Sequence, residues 1–523
     1  MTDDNYNLRQ RATLTEFEFT EAQFGRLGAR LRRAWGNVAA RWQVWSVMQR
    51  QSAFNHALVD NLEALEVKTR AESAADVARD TVRIDHDRGL TRLNRDIAAL
   101  AARARRAAAG ADGLRQGLAP SNRRLRIAYF SPLPPARSGI ADYSAELLPH
   151  LAERADVTVF VDSGRGGFQT RPYGVGGQPG NIFLAPMEAF PARRDEFDLP
   201  LYQMGNSDQH EAIYEMLLRF PGVVVLHDYV LHHFIRHHIL GWADWNGYAR
   251  ELDYTLGPEG RRLAAAIRDG RAAAPLFDVP LNRRVIDASL GLIVHSRYAA
   301  DRARQQRPDR PLAIVPALVE MRPGRSRRAE LGLPEDAVLF GSFGQITAEK
   351  QIDLALRAFR GVREIYPNAR YLLVGEARPD VDLAALISEL GLGEAVHHVG
   401  FAPELSVFVD WIHTADVVVN LRYPTVGETS AIALRAMAAG RPVIVFDHGW
   451  YSELPDEAAL KVAPLDAVAL QEAMIRAAAS AGLRDVLGRA AEAYVRRYCL
   501  PPRVADAYLD FLHAILEPAA AHA

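Results

Sequence analysis

Residues 417–454 read VVVNLRYPTVGETSAIALRAMAAGRPVIVFDHGWYSEL, and this stretch predicts the fold. Its β-branched start at 417–420 is typical of a buried strand, and a turn-rich loop follows that closes on Gly-Glu-Thr-Ser at 427–430. A helix is predicted over about 431–439 and a second strand over 443–446. This order predicts one βαβ unit, the repeating element of a parallel sheet.

The predicted helix has residues suited to both of its ends. Thr429 or Ser430 can serve as the N-cap, and Gly440 suits the left-handed position after the last turn, with Pro442 unable to continue the helix. The N–H groups at the start of a helix attract anions such as a diphosphate. This helix start is therefore predicted to lie at a ligand site.

The same stretch resembles the donor-binding unit of retaining glycosyltransferases of family 4, which have the two-domain GT-B fold. Residues 436–444, AMAAGRPVI, match the family's A-M-A-x-G-x-P-V-I segment. The family usually has a glutamate just before this helix and another eight residues later. Those positions hold Gly427 and Arg435 here, with Glu428 one step after the first. The resemblance implies a catalytic role for Glu428 and a place at the donor site for Arg435, where the family binds ribose with a carboxylate.

Length and composition set the broad class. At 523 residues the chain is too long for one ordinary domain, and 49% hydrophobic with 24% charged residues is typical of a globular enzyme. A net charge of -2 gives no reason to expect nucleic acid binding. The single Cys499 excludes an intramolecular disulfide and suits a reducing compartment. Without a signal-like N-terminus or a long apolar run, we expect a cytoplasmic protein, with the inner face of the membrane as an open alternative.

Residues 1–118 are predicted to form a helical, coiled-coil-like module. Apolar residues recur there at heptad spacing, at Leu27, Leu31, Trp35, Val38, Trp42 and Trp45. Three roles stay open: a helical hairpin that packs on itself or on the catalytic body, a coiled coil that makes a homo-oligomer, or docking at a membrane surface. Of these we expect the homo-oligomer.

Two patterns look like metal sites but lack the context of one. Asp85-His86-Asp87 lies in helical sequence with no strand before it, whereas a metal-binding D-x-D motif follows a strand. The tract from His227 to His238 places His233 and His237 on one helical face but supplies no third ligand. We therefore expect no metal and no cofactor.

Residues 125–320 are predicted to form an N-terminal Rossmann-like domain. Strand candidates at 127–130, 157–161, 199–202, 223–227, 290–295 and 312–316 alternate with helices, which predicts a doubly wound parallel sheet. The loop after the first strand resembles the first loop of family 4 enzymes. That likeness implies that Gly139 lets the backbone approach the donor phosphates or the acceptor.

Two strand ends in this domain carry unusually polar residues. Asn206 and His210 follow one strand, and His227-Asp228 close another. Ligands of such sheets bind at the carboxyl ends of the strands, so we expect Asn206, His210 and Asp228 on the acceptor or sugar side. In family 4 enzymes a histidine at the second position lies beside the transferred sugar, which implies a catalytic role for His227.

Residues 330–500 are predicted to form the C-terminal, donor-binding Rossmann-like domain, with strands at 338–343, 370–374, 396–399, 417–420, 443–446 and 460–462. The loop at 344–350 resembles the family's G-R-L-x-x-x-K segment, whose basic pair binds the diphosphate. Gly344 and Lys350 are retained, and the arginine is replaced by Gln345. Arg435 or Arg422 could restore the lost charge. The resemblance adds Thr429 and Ser430 to the donor site, and it implies that the helix within 501–523 crosses back to the first domain.

The predicted function is transfer of a sugar from a nucleotide-diphosphate donor to a polysaccharide or lipid-linked glycan, as in bacterial surface polysaccharide synthesis. The resemblance implies a retaining, metal-independent reaction. A nucleotide-sugar epimerase of the same fold remains an alternative. So does a scaffold protein with a degenerate transferase body, which the losses at Gly427, Arg435 and Gln345 would allow.

Overall fold

The structure, a computed structural model, describes residues 74–115, 124–162, 171–172, 182–241, 243–334 and 336–517. The predicted heptad seam at 27–45 lies outside the described residues. The described residues divide into two compact units, of which one contains 74–90 together with the described part of 235–284. The other contains the described residues of 91–234 and 285–517, and it includes both sheets.

Strands and helices alternate along the chain as expected. Up to residue 314 the elements are α1 (Ala74–Arg115), β1 (Leu125–Phe130), α2 (Gly139–Ala152), β2 (Ala155–Val161), β3 (Arg171–Pro172), β4 (Ile182–Pro186), α3 (Phe190–Arg193), β5 (Leu199–Met204), α4 (Glu211–Arg219), β6 (Val223–Leu226), α5 (His232–Leu240), α6 (Trp245–Leu256), α7 (Pro258–Arg268), α8 (Arg283–Ala288), β7 (Gly291–Val294), α9 (Arg297–Gln306) and β8 (Leu312–Ile314). From residue 339 they are β9 (Leu339–Phe343), α10 (Ile352–Ile365), β10 (Arg370–Val374), α11 (Leu383–Glu389), β11 (Val396–Gly400), α12 (Leu405–Thr414), β12 (Val417–Val419), α13 (Ala431–Ala438), β13 (Val443–Phe446), β14 (Ala459–Val462), α14 (Ala467–Ala479), α15 (Ala481–Tyr498) and α16 (Pro501–Leu516).

The first sheet has eight strands in the order β3-β4-β2-β1-β5-β6-β7-β8, and only β3 and β4 pair antiparallel. All six strands predicted here are present. Two strands were not predicted: β3, which has two residues, and β4, which follows a glycine-rich segment. A two-residue strand carries no periodicity of its own.

The second sheet has six parallel strands in the order β11-β10-β9-β12-β13-β14, and all six were predicted. The βαβ unit predicted over 417–446 is β12-α13-β13, with Val418 paired to Val443. Ser430 rather than Thr429 is the N-cap of α13, since its Oγ accepts a hydrogen bond from the N–H of Ala433 at 3.2 Å. Gly440 has a φ of +65° and ends the helix as predicted.

The last helix, α16, packs against α2 of the first domain. The hydroxyls of Tyr143 and Tyr508 lie 2.7 Å apart between these helices, and Leu512 is fully buried in the same core as Leu147. The chain passes from the first domain to the second near Val319 and returns near Cys499. These two segments are hydrogen-bonded, because the N–H of Val319 donates to the carbonyl of Cys499 at 2.9 Å. The first domain is therefore assembled from two separated segments of the chain.

Helix α1 has its large apolar residues on the outside. The small side chains of Ala98 and Ala102 are buried in the core of the first sheet, whereas Leu93, Ile97 and Leu100 are 56%, 57% and 66% exposed. This is the reverse of an ordinary amphipathic surface helix. No helix in the described part of the chain is long and apolar enough to span a membrane.

In the unit that contains residues 235–284, a buried arginine joins separate parts of the chain. Arg284 pairs with the Asp87 carboxylate at 2.9 Å and with the Glu251 carboxylate at 2.7 Å, and its guanidinium lies 4.0 Å from the ring centroid of Tyr254. Asp87 belongs to the Asp-His-Asp triplet, so this carboxylate binds an arginine in the structure. Among the described residues, no group of three or more histidine, cysteine or acidic side chains is placed to hold a metal.

Candidate active site

The candidate site lies where the carboxyl ends of β5 and β6 face the loop between β12 and α13. The N–H of Val230 donates to the carbonyl of Val426 at 2.8 Å, which joins the two domains through their backbones. Nearby, the Glu453 carboxylate accepts hydrogen bonds from the N–H groups of Arg297 and Tyr298, at 2.9 and 2.7 Å. Glu453 thus caps the first turn of α9 from the opposite domain.

Gly427 is the residue at which this loop meets the first domain. Its φ is +80°, a left-handed conformation that favours glycine. A Cβ built at this position would lie 2.6 Å from the Cβ of Tyr229, which is too close for any side chain. The structure therefore gives a physical reason for glycine here: a glutamate at 427 would collide with the first domain.

The Glu428 carboxylate is held on both oxygens. Oε2 accepts hydrogen bonds from the hydroxyl of Thr425 at 2.6 Å and the N–H of Val426 at 2.9 Å, and Oε1 lies 2.7 Å from Nε of Arg422. The side chain is 13% exposed. Glu428 therefore fixes the shape of its own loop and orients Arg422, whichever further role it has.

Arg422 and Lys350 form the cationic part of the site. Burial acts to lower the pKa of Arg422, but Glu428 and the further carboxylates of Asp228 and Glu349 contribute to a net increase. Burial, with Arg422 nearby, lowers the pKa of Lys350 to about 7, and its Nζ donates to the Phe343 carbonyl at 2.7 Å. Lys350 is thus poised to gain or lose its charge near neutral pH.

Gly344 provides the room for this lysine. It has a φ of +78°, and a Cβ there would lie 2.7 Å from Nζ of Lys350 and equally close to the Ile432 side chain. Gln345, the next residue, is exposed. The structure thus brings Gly344 and Lys350 together beside α13 and turns Gln345 to solvent.

Asp228 and Asn206 form a connected pair on the first domain. Burial and the Glu428 carboxylate raise the pKa of Asp228 to about 7, although the N–H of Asn206 donates to it at 2.7 Å. The Asn206 side chain accepts from the N–H of Phe234 at 2.9 Å, and its amide nitrogen lies 3.2 Å from Nδ1 of His233. Asn206 therefore organises the start of α5 as well as Asp228.

His210 lies deeper than expected for an acceptor-side residue. It is buried, its Nδ1 lies 3.1 Å from the Ser207 hydroxyl, and burial lowers its pKa to about 4. A Cβ on Gly205 would lie 3.0 Å from its ring. The ring packs behind the Gly205 turn that leads to Asn206.

His227 is enclosed by three side chains. Its Nε2 lies 2.7 Å from Oε1 of Gln203, its Nδ1 lies 3.2 Å from Nε2 of His295, and its ring packs edge-on against Tyr143 with centroids 4.8 Å apart. Burial, followed by the His295 and His210 rings, lowers its pKa well below the usual value. Gln203 and His295 were not among the predicted site residues. Each nevertheless lies at the carboxyl end of a predicted strand, where ligands of such sheets bind and where His227 was predicted.

Arg435 contacts the first domain. Its guanidinium lies 2.8 Å from Oε1 of Glu146 on α2, and the two side chains are only 9% and 4% exposed. Arg322 adds a weaker contact to the same carboxylate at 3.8 Å. The cation that replaces a family glutamate thus forms a buried ion pair between the two domains, a partnership with Glu146 that the sequence analysis did not identify.

The remaining predicted site residues lie at helix starts. The Ser430 hydroxyl accepts a second hydrogen bond, from the Asn420 amide at 2.7 Å, while the buried Thr429 hydroxyl has no hydrogen-bond partner in the part of the chain that the structure describes. Gly139 is the first residue of α2, after the N-cap Ser138, and a Cβ there would meet nothing within 4 Å. Gly139 is exposed, so a side chain at this position would have no protein contact.

A protein-family model described as glycosyl transferases group 1 matches residues 337–480. Residues 337–480 belong to the group 1 glycosyltransferases. This group 1 domain contains the β12-α13-β13 unit, Lys350 and Glu428, so the resemblance seen in the sequence is confirmed for the second sheet and its loops.

Curated relatives carry related names. The chain is 28% identical over 295 residues to a D-inositol 3-phosphate glycosyltransferase of Saccharomonospora viridis, covering 52% of this chain and 66% of that one. It is 28% identical over 231 residues to the enzyme of the same name from Streptomyces avermitilis, covering 40% and 48%. The aligned part thus spans about half to two thirds of the length of these relatives.

Solved structures are similar to this chain in fold. Sucrose-phosphate synthase from Thermosynechococcus elongatus matches with a TM-score of 0.53 and 19% identity, over 75% of this chain and 99% of that one. Anabaena HepE, solved in complex with UDP-glucose, matches with a TM-score of 0.50 and 15% identity, over 75% and 100%. At such identities the likeness concerns the fold alone, and it confirms the predicted GT-B architecture.

Proposed function

We propose that this chain transfers a sugar from a nucleotide-diphosphate donor to a polysaccharide or lipid-linked glycan acceptor. The observation that supports this best is that Lys350, Arg422 and the start of α13 lie together at the junction of the two domains. Asp228 of the first domain lies on the opposite side of that junction. Cations and a helix N-terminus suit a diphosphate, and carboxylates suit sugar hydroxyls. The family match of residues 337–480 adds independent support.

In this proposal the reaction depends on stabilising two developing charges. Negative charge grows on the leaving diphosphate, where Lys350, Arg422 and the N–H groups at the start of α13 can stabilise it. Positive charge grows on the sugar ring, near the carboxylates of Glu428 and Asp228. Arg422 takes over the charge that Gln345 no longer supplies, because it lies beside Glu428 and Lys350, whereas Arg435 is directed to Glu146 of the first domain.

We also propose that transfer retains the anomeric configuration and needs no metal, as in family 4. Two protein cations at the diphosphate would take the charge-neutralising role that a divalent ion has in other transferases. Activity in the presence of a chelator is the expected result. Loss of activity on chelation and its recovery with magnesium or manganese would contradict the metal-independent part of the proposal.

A thermal-shift screen against a panel of nucleotide sugars tests the donor. A ligand present at 100 times its dissociation constant adds about 2.7 kcal/mol of stability, which is readily measured. Donor turnover with a glycan acceptor supports the transferase. Conversion of the donor without any acceptor would indicate an epimerase, and no binding at millimolar concentration would indicate a scaffold.

We further propose that a second copy of the chain covers the exposed face of α1. Leu93, Ile97 and Leu100 follow the 4, 3 spacing of a two-stranded coiled-coil seam. Light scattering of the full chain should give a dimer or larger, and the Leu93→Glu, Ile97→Glu double variant should give a monomer. A monomeric wild-type chain would contradict this, and sedimentation with lipid vesicles would then test a cytoplasmic membrane-surface location instead.

A further inference from the structure

We propose that His295 and Gln203 are positioning residues that hold His227 as a neutral imidazole with both ring nitrogens bonded inside the protein. His227 would then shape the sugar site without exchanging a proton during transfer. The inference rests on the proposed function, in which His227 lies beside the transferred sugar. Its main test reads the histidine ring directly and does not depend on activity.

The direction of the hydrogen bonds starts at a backbone carbonyl. Nδ1 of His295 lies 2.8 Å from the Val315 carbonyl, which can only accept, so Nδ1 carries the proton. In a neutral His295 the other nitrogen, Nε2, is then an acceptor. It lies 3.2 Å from Nδ1 of His227, which must therefore be protonated. The Val315 carbonyl thus fixes the tautomer of His227 through His295.

The last member of the chain is Gln203. With Nδ1 protonated, a neutral His227 presents a lone pair at Nε2, so the Gln203 side chain must turn its NH₂ group towards it. The structure places Oε1 of Gln203 at 2.7 Å from Nε2, and among the described residues its amide nitrogen has no hydrogen-bond partner. Exchanging the two amide atoms gives every contact from Gln203 to Val315 one donor and one acceptor. Amide orientation is assigned from such networks, which supports the exchanged orientation.

The competing arrangement keeps Oε1 towards His227 and adds a proton to make an imidazolium. The surroundings disfavour that charge, because Gln203 and His295 are buried and the rings that face His227 are those of Tyr143, His210 and His295. Asp228 follows His227 in the chain, but its carboxylate accepts from the N–H of Asn206. The neutral chain is therefore favoured.

Packing also restricts the orientation of the ring. The rings of Tyr143 and His295 each lie with centroids 4.8 Å from that of His227, at 80° and 47° to its plane. The hydroxyl of Tyr143 is itself held 2.7 Å from that of Tyr508 on α16. With both nitrogens taken, His227 can offer a substrate only a carbon edge of its ring.

Nitrogen NMR of ¹⁵N-histidine-labelled protein tests the tautomer. The His227 signals, assigned by their loss in a His227→Asn variant, should show a protonated Nδ1 and an unprotonated Nε2 that do not titrate between about pH 5.5 and 8, the range in which an ordinary histidine titrates. A protonated Nε2, or titration near the ordinary value of about 6.5, would overturn the proposal.

Variants of His295 test the positioning role. His295→Leu removes the acceptor for Nδ1 of His227, so the neutral ring should change to the tautomer with the proton on Nε2, donating to Oε1 of Gln203, and kcat should fall by up to about 100-fold with little change in KM. His295→Gln keeps an acceptor and should recover most of kcat and the tautomer with the proton on Nδ1. Equal losses of kcat in both variants, with Nδ1 of His227 still protonated in His295→Leu, would overturn the positioning role. If no donor supports transfer at all, the proposed function fails while the NMR result still decides the tautomer.

Discussion

Replacing Arg435 with methionine tests whether the buried ion pair to Glu146 holds the two domains together. The atoms are 2.8 Å apart and the side chains 9% and 4% exposed, so the variant leaves a carboxylate buried without its main partner. Breaking such a pair costs about 3–5 kcal/mol. Arg322 at 3.8 Å and the N–H of Glu320 at 3.3 Å remain to compensate in part. We therefore expect the lower end, about 3 kcal/mol, which lowers the melting temperature by roughly 3 °C, because at about 2.1 cal/mol/K per residue the unfolding entropy of 523 residues is about 1.1 kcal/mol/K.

The companion variants make the test specific to the pair. Glu146→Gln should lower the melting temperature in a similar way, because it leaves Arg435 buried without a carboxylate. The double variant Arg435→Met, Glu146→Met removes both charges and should melt above either single variant, since apolar replacement of a buried pair is often neutral. Scanning calorimetry gives the order of the three midpoints. A fall below about 2 °C in the single variants, or a double variant no better than the worse single one, would refute the reasoning.

Three further predictions concern the candidate site. Glu428→Gln should lower turnover by at least about 100-fold, roughly 2.7 kcal/mol of transition-state stabilisation, while nucleotide binding persists; near-normal turnover in a transfer assay would remove Glu428 from the catalytic residues. Gly427→Ala should lower the melting temperature, because a left-handed non-glycine residue costs about 1–2 kcal/mol and its Cβ meets Tyr229, whereas the control Gly139→Ala, whose Cβ meets nothing, should melt like the wild type. Affinity for the nucleotide diphosphate of the donor found in the thermal-shift screen, measured by calorimetry, should weaken as the pH rises through about 7, where Lys350 loses its proton, and Lys350→Met should abolish this dependence.

Lys350 also affects folding, in a different pH range and with the opposite sign. Its pKa falls from an ordinary 10.5 to about 7 on folding, so between these values the unfolded chain binds the extra proton. Stability contributed by this residue therefore increases as the pH rises from about 7 to 10.5. The denaturation midpoints of the wild type and of Lys350→Met should be similar at high pH. Towards pH 7, where the buried amine becomes charged, the wild type should be the less stable of the two.

The sequence was sufficient to predict the sheets, because their strands are buried β-branched runs separated by well-marked helices. It left Thr429 and Ser430 as equal N-cap candidates, since both side chains can cap a helix and only the backbone geometry selects Ser430. It did not predict β3, whose two residues show no period, or β4, which follows a glycine-rich segment. Local pattern is thus a good guide to elements and a weaker one to their exact ends.

The structure brings several of the candidate site residues together, but their pairings were not predictable from the sequence. Glu428, Lys350 and Asp228 were selected from strand ends and family likeness, and the structure brings them into one cluster with Arg422. The partners that decide their chemistry come from distant parts of the chain, as Glu146 does for Arg435 and His295 for His227. Nothing in the local sequence around Arg435 or His227 specifies those partners.

The position of α16 has a consequence for how the protein is made. The first domain cannot complete its core until Tyr508 and Leu512 reach α2, yet the whole second domain is translated between β8 and α16. At about 5–20 residues per second, the ribosome takes roughly 10–40 s to cover that interval. During this time the surface of α2 that will receive α16 is uncovered on the nascent chain, so the earlier domain in the sequence is the later one to be finished.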